Sequence, residues 1–163
     1  ETFILVLLTK KRASVGWDHP EALSVSCEHA QILTLLQRYQ EAEVALQHVV
    51  TARKAALGAT NPDTLSASRE LALVLQSVDK NEEAEKLLQS ILKAKEEKVG
   101  RAHVETFSAA HDLAVLYEKL RKYGEAEALY ERSLHGREEK LGPVHPETLQ
   151  SKHDLGMLVK KLG

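Results

Sequence analysis

The sequence predicts an all-α fold made of repeated helix pairs, and three observations lead to this prediction. One short phrase returns every 42 residues, as VGWDHPEAL, LGATNPDTL, VGRAHVETF and LGPVHPETL. A second phrase keeps the same spacing, as RYQEAE, KNEEAE and KYGEAE. The composition is 28% charged and only 4% aromatic, which is common in helical proteins rich in Ala, Leu, Glu and Lys. A fixed period of this length indicates a stack of similar helical units.

The first helix of each repeat is predicted to begin at the opening phrase. Asn61 is a good N-cap, Pro62 suits the first helical turn, and Asp63 favours the positive end of the helix dipole. His occupies the capping position in the other three copies. The helix is expected to end near the second phrase, which starts at residues 38, 80 and 122.

The second helix is predicted to run from the second phrase to a Gly that can adopt a left-handed conformation. Gly136 lies in the middle of one such helix, where it is expected to cost about 0.5–1 kcal/mol relative to Ala. Small residues with the same period are expected to let neighbouring helices approach closely. They are Ala30, Ala72, Ala114 and Gly156 in one register, and Ala42, Ala84 and Ala126 in another.

These phrases resemble the tetratricopeptide repeat, in the 42-residue form of the kinesin light chain type. The resemblance covers the whole chain and implies a right-handed α-solenoid of antiparallel helix pairs, whose first helices line a concave groove. Departures from the pattern at His29, Asn81 and Val104 are expected to soften local packing only. We expect a single repeat domain over residues 1–163, as a fragment of a longer protein. It would comprise a partial repeat 1–16, full repeats 19–60, 61–102 and 103–144, and a partial repeat 145–163.

Composition argues against several classes of function. A net charge of −2 and a pI near 6.5 give no sign of a nucleic-acid-binding surface. The apolar run FILVLL has six residues and is too short to span a bilayer, so no membrane insertion is expected. The single cysteine, Cys27, cannot form an intrachain disulfide, which favours a reducing, cytoplasmic location.

One face of the first helices is predicted to bind a protein or peptide. Its centre is apolar in three repeats, at Leu73, Val115 and Met157, although a solvated helix face needs no apolar residue there. In the family that the chain resembles, this face holds peptide ligands. An acidic column follows the row at Glu28, Glu70, Asp112 and Asp154, and the remaining candidates are Gln31, Arg69, His111, Lys119 and His153.

Both features also have a structural interpretation. The acidic column can form ion pairs between successive repeats, which would stabilise the fold by at most about 1 kcal/mol each. The apolar row can pack between repeats. Kinesin light chains typically carry Asn at the acidic position, so cargo recognition of that type is not expected here. The carboxylate clamp of chaperone-binding relatives needs both Lys and Asn in the groove, and Lys119, Lys160 and Lys161 supply only part of it. The expected ion pairs are Glu28 with Arg69, Glu70 with His111, and Asp112 with His153.

The two ends of the chain suggest a second kind of contact. Leu5 and Val6 align with positions that are polar in the other repeats, so the N-terminal helix, which contains them, is expected to dock against something outside the array. Leu149 and Val159 in the last helix have no following helix to cover them. Further repeats, another subunit or a partner could cover these ends.

No catalytic site is expected. Ser108, His111 and Asp112 share one helix face, but the equivalent residues one repeat earlier are Ser66, Arg69 and Glu70, and three groups on one helix form a triad poorly. No histidine pair has the spacing of a zinc-binding helix, so neither a metal nor a cofactor is expected. The sequence therefore predicts a protein–protein interaction module, with a structural scaffold or spacer docked through its terminal helices as the alternative. An RNA-binding repeat is disfavoured by the acidic column and the pI.

Overall fold

The structure is a computed structural model that describes residues 6, 9, 10, 14 and 16–163. All of the regular secondary structure in these residues is helical, which confirms the predicted all-α fold. Residues 6, 9, 10 and 14 are helical, and Leu5 lies outside the described residues. Seven helices are described along their whole length: α1 (Pro20–Leu35), α2 (Tyr39–Leu57), α3 (Pro62–Ser77), α4 (Asn81–Val99), α5 (Val104–Lys119), α6 (Tyr123–Leu141) and α7 (Pro146–Leu162).

The first helices begin at the predicted caps. The Asn61 side chain accepts a hydrogen bond from the Asp63 backbone N–H at 2.9 Å. His19, His103 and His145 accept the equivalent bond through Nδ1, each at 3.3 Å. The imidazole therefore caps the helix through a longer hydrogen bond than the Asn amide does. It can accept this bond only while Nδ1 carries no proton.

The first helices end on a left-handed residue that the sequence did not indicate. Gln37, Asp79 and Arg121 have φ angles of 59°, 58° and 59°. The Arg38 N–H donates to the Leu33 carbonyl and the Gln37 N–H to the Thr34 carbonyl, which is the Schellman pattern. A residue with a Cβ is strained in this conformation, so each position favours Gly.

The periodic glycines close the second helices differently from the expectation. Gly58 and Gly142 have φ angles of 90° and 91° with ψ angles of 161° and 163°. This combination lies beyond the left-handed helical region, in a part of backbone space that only Gly occupies readily. The backbone therefore requires Gly at these positions, because φ is positive and ψ is extended.

The described residues up to Leu87 form one compact unit, in which α1 packs on α2 and α2 on α3. Its core includes Leu23, Cys27, Val49 and Ala67. The predicted small-residue registers are fully buried here, since Ala30, Ala42, Ala72 and Ala84 have no exposed surface. Small side chains therefore allow the helices to approach closely, as expected.

Residues 88–163 form the second compact unit, in which α5 packs on α6 and α6 on α7. The α5–α6 pair is antiparallel, because Phe107 near the start of α5 meets Gly136 late in α6, while His111 meets Tyr130 one turn further along. Ala114, Ala126, Tyr130 and Leu158 form a buried cluster. The boundary between the units falls within the continuous helix α4.

A basic residue late in each second helix ties it to the first turn of the helix that follows. The Arg53 Nη1 donates to the Asp63 carbonyl at 3.0 Å, and Lys95 forms an ion pair with Glu105. This contact with Lys95 lowers the pKa of Glu105. The third tie is Arg137, which is described separately because it is buried.

The Arg137 guanidinium has only 5% of its side-chain surface exposed and reaches four groups. Its Nη2 lies 3.2 Å from a Glu147 carboxylate oxygen and 3.0 Å from the Ser108 Oγ. Its Nη1 donates to the Ser151 Oγ at 2.6 Å and to the Glu147 carbonyl at 3.2 Å. Ser108 is therefore part of a structural network between α5, α6 and α7.

Gly136 has a packing role that reverses the sequence interpretation. A Cβ at this position would lie 2.1 Å from the Cζ of the Phe107 ring. The ring occupies the place that a methyl group would take, so Gly136 is required by Phe107. The equivalent pairs in the other two repeats are Leu23 with Ala52 and Leu65 with Ala94. In these pairs Leu takes the place of the bulkier Phe, and Ala takes the place of Gly.

We therefore expect Gly136→Ala to lower the free energy of unfolding by about 1–3 kcal/mol, because of overpacking. The double variant Phe107→Leu with Gly136→Ala should be more stable than Gly136→Ala alone. Gly156→Ala is the control, since this exposed helical Gly has no neighbour within 4 Å and should gain about 0.5–1 kcal/mol. Urea unfolding measures all three, and a stabilising Gly136→Ala would contradict the packing argument.

Gln37→Gly should raise the free energy of unfolding by about 0.5–1 kcal/mol, because it relieves the left-handed conformation. Ala128→Gly is the matched control on an exposed position inside α6, and it should lower stability by about 1 kcal/mol. Thermal unfolding followed by circular dichroism compares them. If both variants lose stability equally, the strain assigned to Gln37 is wrong.

Candidate functional site

The predicted apolar row remains accessible in both units. Leu73 on α3 is 42% exposed, Val115 on α5 is 41% exposed and Met157 on α7 is 53% exposed. The residues that follow Val115 and Met157, Leu116 and Leu158, have no exposed surface at all. Each helix therefore places one apolar side chain in the core and its neighbour on the candidate face.

The acidic column forms contacts between repeats in the opposite direction from the expected ladder. Gln31 Nε2 donates to Glu70 Oε1 at 3.0 Å in the first unit. In the second unit, His111 Nε2 lies 3.2 Å from Asp154 Oδ2. Glu70 thus receives a polar group from the preceding first helix, whereas the expectation paired it with His111, and Asp154, for which no pair was expected, likewise receives one from the preceding first helix. Glu28, Arg69 and His153 are exposed, and Asp112 is partly buried.

Asp154 is held by two further contacts. Gln150 Nε2 lies 2.9 Å and 2.8 Å from its two carboxylate oxygens. The side chains of His111 and Asp154 are only 12% and 20% exposed, so this pair is better shielded from water than an ordinary surface pair. The carboxylate orientation is therefore fixed before any ligand arrives.

A second held carboxylate, that of Glu118, lies on α5 about two turns after His111. The buried Tyr130 ring contacts His111 edge-on at 5.3 Å between centroids, and its hydroxyl donates to Glu118 Oε2 at 3.3 Å. Lys161 Nζ lies 3.4 Å from the other oxygen of Glu118. Burial, with the nearby carboxylate of Glu118, raises the pKa of Tyr130 far above its usual value. The phenol therefore stays protonated and acts as a permanent donor.

A pocket of about 430 Å³ opens beside the apolar row of the second unit. Lys161 Nζ lies 5.3 Å from the centroid of the Tyr123 ring, within the range of a cation–π contact. Of the lining residues, the sequence indicated Val115 and Lys119. The other lining residues were not among the predicted site residues, although the stretch EKLRKY at residues 118–123 is rich in charge. The lining residues are Val115, Glu118, Lys119, Arg121, Tyr123 and Lys161.

The described part of the chain was also compared with the requirements of a metal site, a membrane-spanning helix and a reactive cysteine. Residues 6, 9, 10, 14 and 16–163 contain no group of three or more His, Cys, Asp or Glu side chains that could hold a metal ion. Within the same residues, no helix combines the length and apolar character needed to cross a membrane. Cys27 is buried, and burial raises the pKa of its thiol, so it lacks the thiolate character of a reactive cysteine.

The terminal helices also expose apolar surface. Val6 is 47% exposed, while Leu5 lies outside the described residues. On α7, Leu149 is 50% exposed and Val159 is 51% exposed. The residues equivalent to Leu149 in the three earlier repeats, Leu23, Leu65 and Phe107, are all buried. The face of α7 that these positions define therefore lacks the cover that the earlier first helices have.

Comparison with family models identifies the repeat type. Two models, both described as the tetratricopeptide repeat, match residues 21–97 and 106–147. Together they cover more than half of the chain. No curated protein sequence gives a significant match.

Solved structures have the same fold at low sequence identity. A protein of Podosopora anserina assigned as a kinesin light chain, with nearly identical TPR-like repeats, is 24% identical and has a TM-score of 0.83. A point variant of it has the same identity and a TM-score of 0.85, and both matches cover 96% of this chain and 74% of the other. BtubC (BKLC) of P. vanneervenii is 18% identical with a TM-score of 0.83, covering 98% of this chain and 63% of the other. At this identity the similarity establishes the fold alone.

We expect a double-mutant cycle of His111→Ala and Asp154→Ala to give a coupling energy of about 1 kcal/mol, because both side chains are shielded from water. Lys93→Ala with Glu97→Ala is the control cycle. That pair is well exposed, 3.9 Å apart and one helical turn apart, and should couple by less than about 0.5 kcal/mol. Urea unfolding of the single and double variants measures both. A coupling for His111 and Asp154 no larger than the control would contradict the assignment.

Proposed function

We propose that this chain, which belongs to the tetratricopeptide repeat family, binds a peptide or a partner surface on the groove face of its first helices. Repeats of this family generally mediate protein–protein interaction. The observation that carries the proposal is the exposure of the apolar row beside fully buried neighbours, most clearly at Val115 and Met157. We assign no enzymatic role to the chain.

Energetics favour contact at this row. An aliphatic side chain that is about half exposed still has roughly 1 kcal/mol to gain when a partner covers it. The nearby carboxylates of Asp154 and Glu118 are already held by protein donors, so a partner would meet fixed acceptors and not mobile ones. A small apolar contact flanked by preorganised polar groups is the usual design of a peptide-binding surface.

The partner that we propose is a protein and not a nucleic acid, because the net charge of −2 and the acidic column along this face leave no extended basic surface for a phosphate backbone. We further propose that the chain acts in a reducing, cytoplasmic setting, since its one thiol is free and buried. Residues 1–163 are taken as one repeat domain with the divisions given above.

The alternative is a scaffold or spacer subunit that docks through its terminal helices. Its support is the half-exposed face of α7, at Leu149 and Val159, together with the exposed Val6 near the N-terminus. The groove face would then be unoccupied. The two functions place the contact on different surfaces, so single substitutions can separate them.

Val115→Asp is expected to abolish partner capture, because a charge at the centre of the row cannot be desolvated by an apolar ligand group. Val44→Asp is the matched control, since Val44 is 68% exposed on the second helix α2 and offers the same substitution away from this face. A pull-down from cell extract followed by mass spectrometry compares the two variants with the unchanged chain. Circular dichroism and thermal unfolding should show Val115→Asp to be within about 0.5 kcal/mol of the unchanged chain.

Val159→Asp and Val6→Glu test the alternative in the same pull-down. If the groove face binds, these variants retain the partners that Val115→Asp loses. Loss of partners with Val159→Asp or Val6→Glu, with retention in Val115→Asp, would transfer the function to the terminal helices.

A further inference from the structure

We infer that mild acid loosens the 88–163 unit at the two places where a first helix follows a second helix, because both first helices begin on a histidine that must be neutral. This inference goes beyond the proposed partner binding and does not depend on it. At the starts of α5 and α7, the Nδ1 atoms of His103 and His145 each accept a hydrogen bond at 3.3 Å from the backbone N–H two residues later. A protonated Nδ1 is a donor and cannot accept this bond.

The fold itself does not require a cap that titrates. Asn61 caps α3 through the equivalent bond to the Asp63 N–H, and its amide gains no proton in mild acid. Asn61 has φ and ψ angles of −66° and 139°, and His145 has −64° and 140°. The same backbone therefore accepts a cap that responds to pH and a cap that does not, and α3 is a reference inside the chain.

The surroundings of His103 do not favour a charged imidazole. The Glu105 carboxylate, which could stabilise a proton on His103, already forms an ion pair with Lys95 of α4. A protonated ring would also lie at the positive end of the α5 dipole. Charged side chains around this cap come from both helices and from the turn between them, and they are Glu105 on α5, Lys95, Glu96 and Lys98 on α4, and Arg101 in the turn.

His145 has the same arrangement at the start of α7. The Glu147 carboxylate already lies 3.2 Å from Arg137 Nη2 of α6. Arg137 Nη1 donates to the Glu147 carbonyl at 3.2 Å, so fraying of this first turn would also release the tie between α6 and α7. The charged side chains near this cap are Glu147 on α7, and Arg137, Glu138 and Lys140 on α6.

The sign of the effect follows from the two states of the chain. In the unfolded chain both histidines gain a proton without cost, whereas in the folded chain the proton removes a cap. A histidine side chain ordinarily titrates at about pH 6.5, so the stability that the caps supply is present at about pH 7.5 and is lost as the pH falls towards about 5.5. His111 acts in the opposite direction, because a protonated His111 would attract the Asp154 carboxylate more strongly.

The test therefore compares the fall in melting temperature between about pH 7.5 and about pH 5.5 in variants of the full chain, by circular dichroism. The fall in the unchanged chain should exceed that of His103→Asn combined with His145→Asn by about 4–8 °C, since each cap accounts for about 2–4 °C in a chain of this size. Each single variant should remove about half of the excess. His135→Asn is the control, because it makes the same substitution at an exposed histidine inside α6 and should keep the whole fall.

An equal fall in the unchanged chain and in the double variant would overturn the inference, and so would a His135→Asn variant that removes as much of the fall. Nuclear magnetic resonance of the unchanged chain supplies a test that needs no substitution, should the double variant fail to fold. At about pH 7.5 the ring nitrogen signals of His103 and His145 should show Nδ1 without a proton. The backbone N–H signals of Glu105 and Glu147 should then move on acidification more than that of Asp63, and equal movement would contradict the histidine caps.

Discussion

Close approach of neighbouring helices is the constraint on which the rest of this structure depends. Ala30, Ala72 and Ala114 have no exposed surface, and their side chains leave room for the helix beside them. Where one side chain becomes larger, its neighbour becomes smaller, as with the Phe107 ring over Gly136. Because interiors are close-packed, a methyl group in the wrong place at these positions would move a helix. The orientation of each first helix follows from this packing, and so does the face that it leaves to solvent.

A second set of contacts fixes how one helix pair follows another within each unit. The basic residue late in each second helix ties it to the opening turn of the next first helix, most strongly at the buried Arg137. Caps at Asn61 and the three equivalent histidines begin the first helices at a fixed residue. The groups that hold the fold and the groups proposed to bind a partner overlap in part, because His111, Asp154 and Glu118 contact neighbouring helices as well as facing the proposed groove.

The sequence predicted the fold well because its evidence is periodic. Asn61 and the alanines of the small-residue registers were each visible as a repeated position, and the structure places them as expected, whereas Gly156 in the same register is exposed. What it could not give was contact between positions far apart in sequence. Gly136 looked like a destabilising residue because the Phe107 ring that fills its space is 29 residues away, and the contacts Gln31–Glu70 and His111–Asp154 were not predicted because helix spacing does not show which neighbour lies closer. The pocket was missed for the same reason, since Lys161 and Arg121 meet only in the folded chain.

The left-handed residues that follow α1, α3 and α5 share one strained backbone conformation but carry unrelated side chains. Arg121 occupies a left-handed position at which Gly would be favoured by about 1 kcal/mol. The same cost is borne by Gln37 and Asp79, so the fold specifies the conformation of this residue and leaves its chemistry open. At such a position a change of side chain alters surface charge without altering packing. Variation at a few helix ends can therefore change the surface charge of a repeat array while its core stays the same.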